Sequence, residues 1–189
     1  MFSISSGWLN QVEHLPSPHF SSRELDEEIS LLVIHNISLP AGQFGNNYIS
    51  DLFLGQLDCN AHTSFHDLKD IEVSAHCLIR RDGCVIQYVS FNDKAWHAGV
   101  SSFNNKERCN DYSVGIELEG TDDIPYTKEQ YQQLIALTLC LQDQFPAIMI
   151  DNVVGHCDIA PIRKTDPGPV FDWQYFRQCL TEQATRNNT

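Results

Sequence analysis

Residues 155–169 read GHCDIAPIRKTDPGP. His156, Lys164 and Asp166 share this short stretch with three prolines. Proline lacks a backbone donor and fixes φ, so an ordered loop is expected here rather than a helix or a central strand. Ordered loops on rigid scaffolds are where chemistry concentrates. A second histidine, His35, ends the apolar run LLVIH, as His156 ends VVGH. Two imidazoles plus the Asp166 carboxylate form a donor set for a catalytic zinc, which leaves a fourth position for water. Such a zinc lowers the pKa of that water toward ~7. On spacing alone, two satisfied core histidines explain the pattern at least as well, because no compact HExxH-type motif is present.

Other groups carry the same ambiguity. In SVGIELEG (113–120), alternation sets Val114, Ile116 and Leu118 on one face and Glu117 and Glu119 on the other. Glu117 is then placed to move a proton from water, or it belongs to a solvated strand face like its neighbour Glu119. Lys164 is able to stabilise an oxyanion, or it forms a plain surface salt bridge. Cys59, His62 and His66 imitate a second metal site but lack a fourth ligand and read as a surface loop. Cys157 and His156 are adjacent; in an extended segment neighbours face opposite ways, which rules out a nucleophile–base pair. Trp96 and His97 of AWHAG suit sugar or peptide contact, or a buried Trp with a capping His.

The elements that must position these groups follow from pattern. LLVIH (31–35) is a buried strand. SAHCLIRRDGCVIQYV (74–89) is a hairpin turning at Asp82-Gly83. Residues 36–60 combine a Pro/Gly loop with a helical stretch, YISDLFLG, and are expected to form a mobile flap. Thr127 and Gln130 form a capping box ahead of a helix with apolar positions Tyr131, Leu134, Ile135 and Leu141. A last helix starts after Asp172, and the tail from about 181 is expected to fray. Strands alternating with helices predict an α/β fold, a mixed sheet packed by helices, in a single domain over 1–189.

Composition narrows the partners. The chain has 189 residues and a formal net charge of −13. Clustered cations for nucleic acid or an anionic membrane are missing, so neither is an expected partner. The seven cysteines form no CxxC pair, and the N-terminus lacks a signal-peptide pattern. A cytoplasmic monomer is expected.

Five blocks then occur in order: VIHNISLP (33–40), SAHCLIRRDG (74–83), AWHAGVS (95–101), RCNDYSVGIELEGTD (108–122) and GHCDIAPIRKTDPGP. They resemble the zinc-dependent N-acetylmuramoyl-L-alanine amidases over nearly the whole chain. The resemblance implies a mixed β-sheet flanked by helices, shared with phage lysozyme-type amidases and peptidoglycan recognition proteins. It implies one Zn²⁺ held by His35, His156 and Asp166, with Glu117 as catalytic carboxylate and Lys164 as oxyanion partner. It places Asn36, Trp96, His97 and Arg108 along the substrate groove. The implied reaction cleaves the amide between the lactyl group of (1,6-anhydro-)N-acetylmuramic acid and L-alanine, in cytoplasmic peptidoglycan recycling. The alternative is a module that holds muramyl peptides without cutting them.

Overall fold

A computed structural model describes residues 2–187. Six strands make the main sheet: β1 (Glu13–His14), β2 (Leu31–Ile37), β3 (Cys77–Ile79), β4 (Val85–Gln87), β5 (Ser113–Glu119) and β6 (Val153–Gly155). Their order across the sheet is β6-β2-β5-β3-β4-β1. β2 runs parallel to β5 and β6, and β5 runs parallel to β3. The β3–β4 pair is the antiparallel hairpin read from the sequence, and β1 joins its edge in parallel. The sheet is therefore mixed, as expected.

Four helices pack on it: α1 (Tyr48–Phe53), α2 (Lys128–Gln144), α3 (His156–Ile159) and α4 (Trp173–Asn187). The period-2 pattern of β5 explains the layering. Val114, Ile116 and Leu118, with Leu32 and Ile34 of β2, pack against Leu134 and Leu141 of α2 and Phe176 of α4. On the other face, Leu31 and Val33 meet Ala98, Tyr112, Val154 and Ile159. Beside them α1 buries Ile49, Leu52 and Phe53 against Leu78 and Ile86. Each such side chain contributes about 1.5–3 kcal/mol, which holds the second half of segment 36–60 against the sheet. Of the segment 36–60 expected to form a flap, residues 36 and 37 belong to β2 and residues 48–53 are packed helix.

Three expectations change. The 155–169 segment is not all loop: α3 forms over its first residues and stops at Ile159, ahead of Pro161. A proline disfavours helix in the residue before it, which sets that limit. Glu119 is 1% exposed rather than solvated, and its carboxylate accepts the backbone N–H of Gly45 and Arg81 at 2.6 and 3.0 Å. The last helix runs to Asn187, beyond the end expected near 181.

Candidate active site

The parallel register of β2 and β5 sets His35 directly beside Glu117. The β2–β6 pairing aligns Gly155 with Ile34, so His156, one residue on, emerges next to His35. Strand ends of an open sheet are where the backbone can present side chains to a ligand. Gly155 also lets the downstream loop close in, since a Cβ there would press on Pro167. Cys157 N–H donates to the Asp166 carbonyl at 3.0 Å, and the Tyr126 hydroxyl donates to the Pro167 carbonyl at 2.7 Å. These bonds fold the loop back onto the sheet and bring Asp166 over the two histidines.

The result is a tight triangle. His35 Nδ1 lies 2.9 Å from His156 Nδ1, and Asp166 Oδ2 lies 3.0 and 3.1 Å from the two. The outer nitrogen of His156, Nε2, stands 3.1 Å from the Ala98 carbonyl. A carbonyl only accepts, so Nε2 is a donor there, and Nδ1 is the ring nitrogen turned inward. His35 Nε2 stands 2.9 Å from His97 Nδ1. Burial pushes His35 down to about 4, so it is neutral near pH 7. Burial alone would raise the Asp166 carboxyl, but its contacts with His156 and His35 bring it below its ordinary range. Two imidazole nitrogens and a carboxylate converging on one point suit a cation. Among the described residues, His35, His156 and Asp166 are the one group of three or more such side chains able to hold a metal ion. Cys59, His62 and His66 form no second one. His62 instead caps a short 3₁₀ turn (Thr63–Leu68), accepting from Ser64 N–H at 3.2 Å.

Glu117 completes the centre. Its Oε2 is buried without a hydrogen-bond partner. Burial, then the nearby Asp166 charge, pushes its pKa well above the ordinary value, and Lys164 opposes this. An orphaned buried carboxylate oxygen is costly and marks a place for a proton, water or cation. Lys164 forms no salt bridge among the described residues, so the surface ion pair weighed for it is not formed.

Residues 25–169 match the family described as N-acetylmuramoyl-L-alanine amidase. The 1,6-anhydro-N-acetylmuramyl-L-alanine amidase AmpD of Citrobacter freundii is 55% identical over 186 residues, 98% of this chain and 99% of that protein. A crystal structure of a Se-Met AmpD derivative superposes with a TM-score of 0.91 at 57% identity, covering 94% of this chain and 98% of that one. A complex of AmiD from E. coli with anhydro-N-acetylmuramic acid-L-Ala-D-gamma-Glu-L-Lys aligns with a TM-score of 0.60 at 28% identity, covering 94% of this chain and 65% of that one. The chain belongs to the N-acetylmuramoyl-L-alanine amidase family. It is a hydrolase of muramyl amides.

Of the remaining residues singled out in the sequence of this amidase, Asn36 and His97 adjoin His35, whereas the contacts of Trp96 and Arg108 are with other groups. Asn36, next after His35, donates from Nδ2 to Asp122 at 2.8 Å. Trp96 stacks on His19 and donates from Nε1 to Ser21 Oγ at 3.1 Å. Arg108 is exposed, pairs with Asp111 at 3.0 Å, and borders a cavity of about 660 Å³ shared with Val100 and Arg163. His97 has both ring nitrogens occupied by protein, Nδ1 by His35 and Nε2 by Ser113 Oγ at 3.0 Å. Cys157 sits on α3 rather than on an extended segment, and burial raises its thiol pKa, away from a reactive thiolate. Sequence reasoning missed Tyr126 and the Ala98 carbonyl. A backbone carbonyl leaves no trace in a sequence, and the Tyr126 contact spans 41 residues.

Proposed function

We propose that this amidase holds one zinc ion with His35, His156 and Asp166 and hydrolyses the lactyl–L-alanine amide of 1,6-anhydro-muramyl peptides. The observation that carries this is the convergence of two imidazole nitrogens and a carboxylate oxygen beside a buried, unpartnered Glu117 oxygen. When bound, a zinc ion supplies Lewis-acid polarisation of a carbonyl and a lowered water pKa. The chain's own groups do the rest. Glu117 takes a proton from the attacking water and returns it to the departing alanine nitrogen. Its raised pKa suits both halves of that transfer. The Lys164 ammonium donates to the carbonyl oxygen as negative charge develops there. Asn36, Trp96 and Arg108 line the groove that orients the muramyl peptide.

The anhydro sugar preference is supported by the 55% identity to AmpD over 98% of this chain. A reducing, cytoplasmic setting fits seven cysteines that are all free, two of them buried. Among the described residues no helix is long and apolar enough to cross a membrane. A net charge of −13 disfavours nucleic acid as a partner. One chain supplies all five central groups, which supports a monomer as the active unit.

The test is mass-spectrometric: anhydro-N-acetylmuramyl-tripeptide incubated with the protein as purified, after chelation, and after zinc is restored. Free tripeptide should form, stop with chelator and return with zinc. Zinc-bound protein that leaves the substrate intact would favour a recognition module. Cleavage by metal-free protein would remove the metal from the mechanism.

A further inference from the structure

We propose that His97 and Ala98, clamped by the Asn110 side chain, are the positioning shell that aims both imidazole ligands at the metal. This rests on the metal reading above and goes beyond it, because it concerns the far side of each ring. His35 and His156 come from different elements, one a central strand and the other a four-residue helix. Yet their outer nitrogens end on consecutive residues. His35 Nε2 meets His97 Nδ1 at 2.9 Å, and His156 Nε2 meets the Ala98 carbonyl at 3.1 Å. One peptide segment therefore fixes the rotation of both rings. A ring whose outer N–H is satisfied presents a bare inner nitrogen in a set direction, and such outer partners govern metal affinity.

The segment is itself held in place. Asn110 Oδ1 accepts the backbone N–H of His97 at 3.2 Å and of Ala98 at 2.8 Å. The far edge of the His97 ring is anchored on Ser113, where Nε2 meets Oγ at 3.0 Å. With His35 donating to its Nδ1, His97 carries its proton on Nε2 and donates to that hydroxyl. Gly115, two residues along the same face of β5, makes room for the ring, since a Cβ there would overlap it. Arg163 Nη2 also donates to the Ala98 carbonyl, at 2.7 Å, so that oxygen is held from two sides. The small residues on the site face of β5, Ser113 and Gly115, are thus seats for His97 rather than gaps in the pattern. None of these groups reaches the substrate in this role; they act through the ligands.

The test compares size-matched pairs of variants by zinc affinity, measured in competition with a chromophoric chelator. His97→Leu fills the site without an acceptor, whereas His97→Asn restores one. Asn110→Leu removes the clamp, whereas Asn110→Asp keeps an oxygen for both N–H groups. Zinc affinity should fall about 10–100-fold in the two leucine variants and stay within about 3-fold of wild type in the other two. Unchanged affinity in both leucine variants overturns the inference. So does an equal loss in leucine and conservative variants, which would reduce these residues to packing. Wild-type protein and His35→Ala are run alongside. If wild type takes up no zinc, or His35→Ala keeps a full equivalent, it is the metal reading that has failed.

Discussion

Lys164 stands close enough to the centre to oppose the upward shift of the Glu117 carboxyl, and it has no carboxylate partner among the described residues that would divert its charge. An unpaired ammonium facing a site where negative charge develops is most effective in the transition state. Lys164→Ala should therefore lower kcat by about 10²–10³ with zinc content unchanged. Steady-state rates on protein of measured zinc content check this, and near-normal turnover would remove Lys164 from the mechanism. Asp166 has a different job. It is the carboxylate oxygen of the triangle, at 3.0 and 3.1 Å from the two imidazoles. Asp166→Ala should leave well under one equivalent of zinc after dialysis; a full equivalent would show that another group completes the ligand set. The types of these residues were readable from the chain; their strand-end placement held only loosely, since β2 runs two residues past His35 to Ile37 and His156 opens α3. Their convergence was not readable, because His35 and His156 lie 121 residues apart.

Among the elements, α2 shows how far local sequence reaches. Thr127 Oγ1 accepts from Gln130 N–H at 3.1 Å, and Gln130 Oε1 accepts from Thr127 N–H at 3.1 Å, the reciprocal cap its spacing announces. The second half of the arrangement is long-range. Thr127 Oγ1 donates to the Arg81 carbonyl at 2.7 Å, and Gln130 Nε2 donates to the Ile79 and Glu119 carbonyls at 3.2 and 3.0 Å. The cap thus ties α2 to the ends of β3 and β5, the strand that carries Glu117. Thr127→Ala should cost about 1–2 kcal/mol, from the lost cap and a carbonyl left without its donor. The shift of the urea midpoint measures it, and a change under about 0.3 kcal/mol would mean the cap is replaced by water or a neighbour. The same limit explains Glu119. Alternation put it on the Glu117 face, but the Gly45 and Arg81 donors that bury it are brought in by loops 74 and 38 residues away. Period-2 patterning decides a face; only tertiary structure decides whether that face is wet.

The whole molecule pays for its buried polar site in acid. His76 lies behind the centre in the second row, with Nδ1 accepting Gly115 N–H at 3.0 Å and Nε2 donating to the Asp93 carbonyl at 3.1 Å. Burial, reinforced by the charge of Arg23, pushes it down to about 3. His97 is likewise driven well below its ordinary value by burial, then by the neighbouring histidines. Both are neutral when folded, whereas in the unfolded chain they take up protons below about pH 6.5. The unfolded state thus binds more protons, and stability falls as pH drops from about 6.5 toward the folded value near 3 for His76. Each such histidine steepens the fall by up to about 1.4 kcal/mol per pH unit. His76→Asn should therefore lower stability at pH 7.5, where a packed ring with two hydrogen bonds is lost, yet flatten the dependence between pH 6.5 and 5 by about 1 kcal/mol per unit. Urea midpoints of the metal-free wild type and variant across that range give both numbers. Parallel curves would mean that His76 takes up its proton in the folded protein as readily as in the unfolded chain.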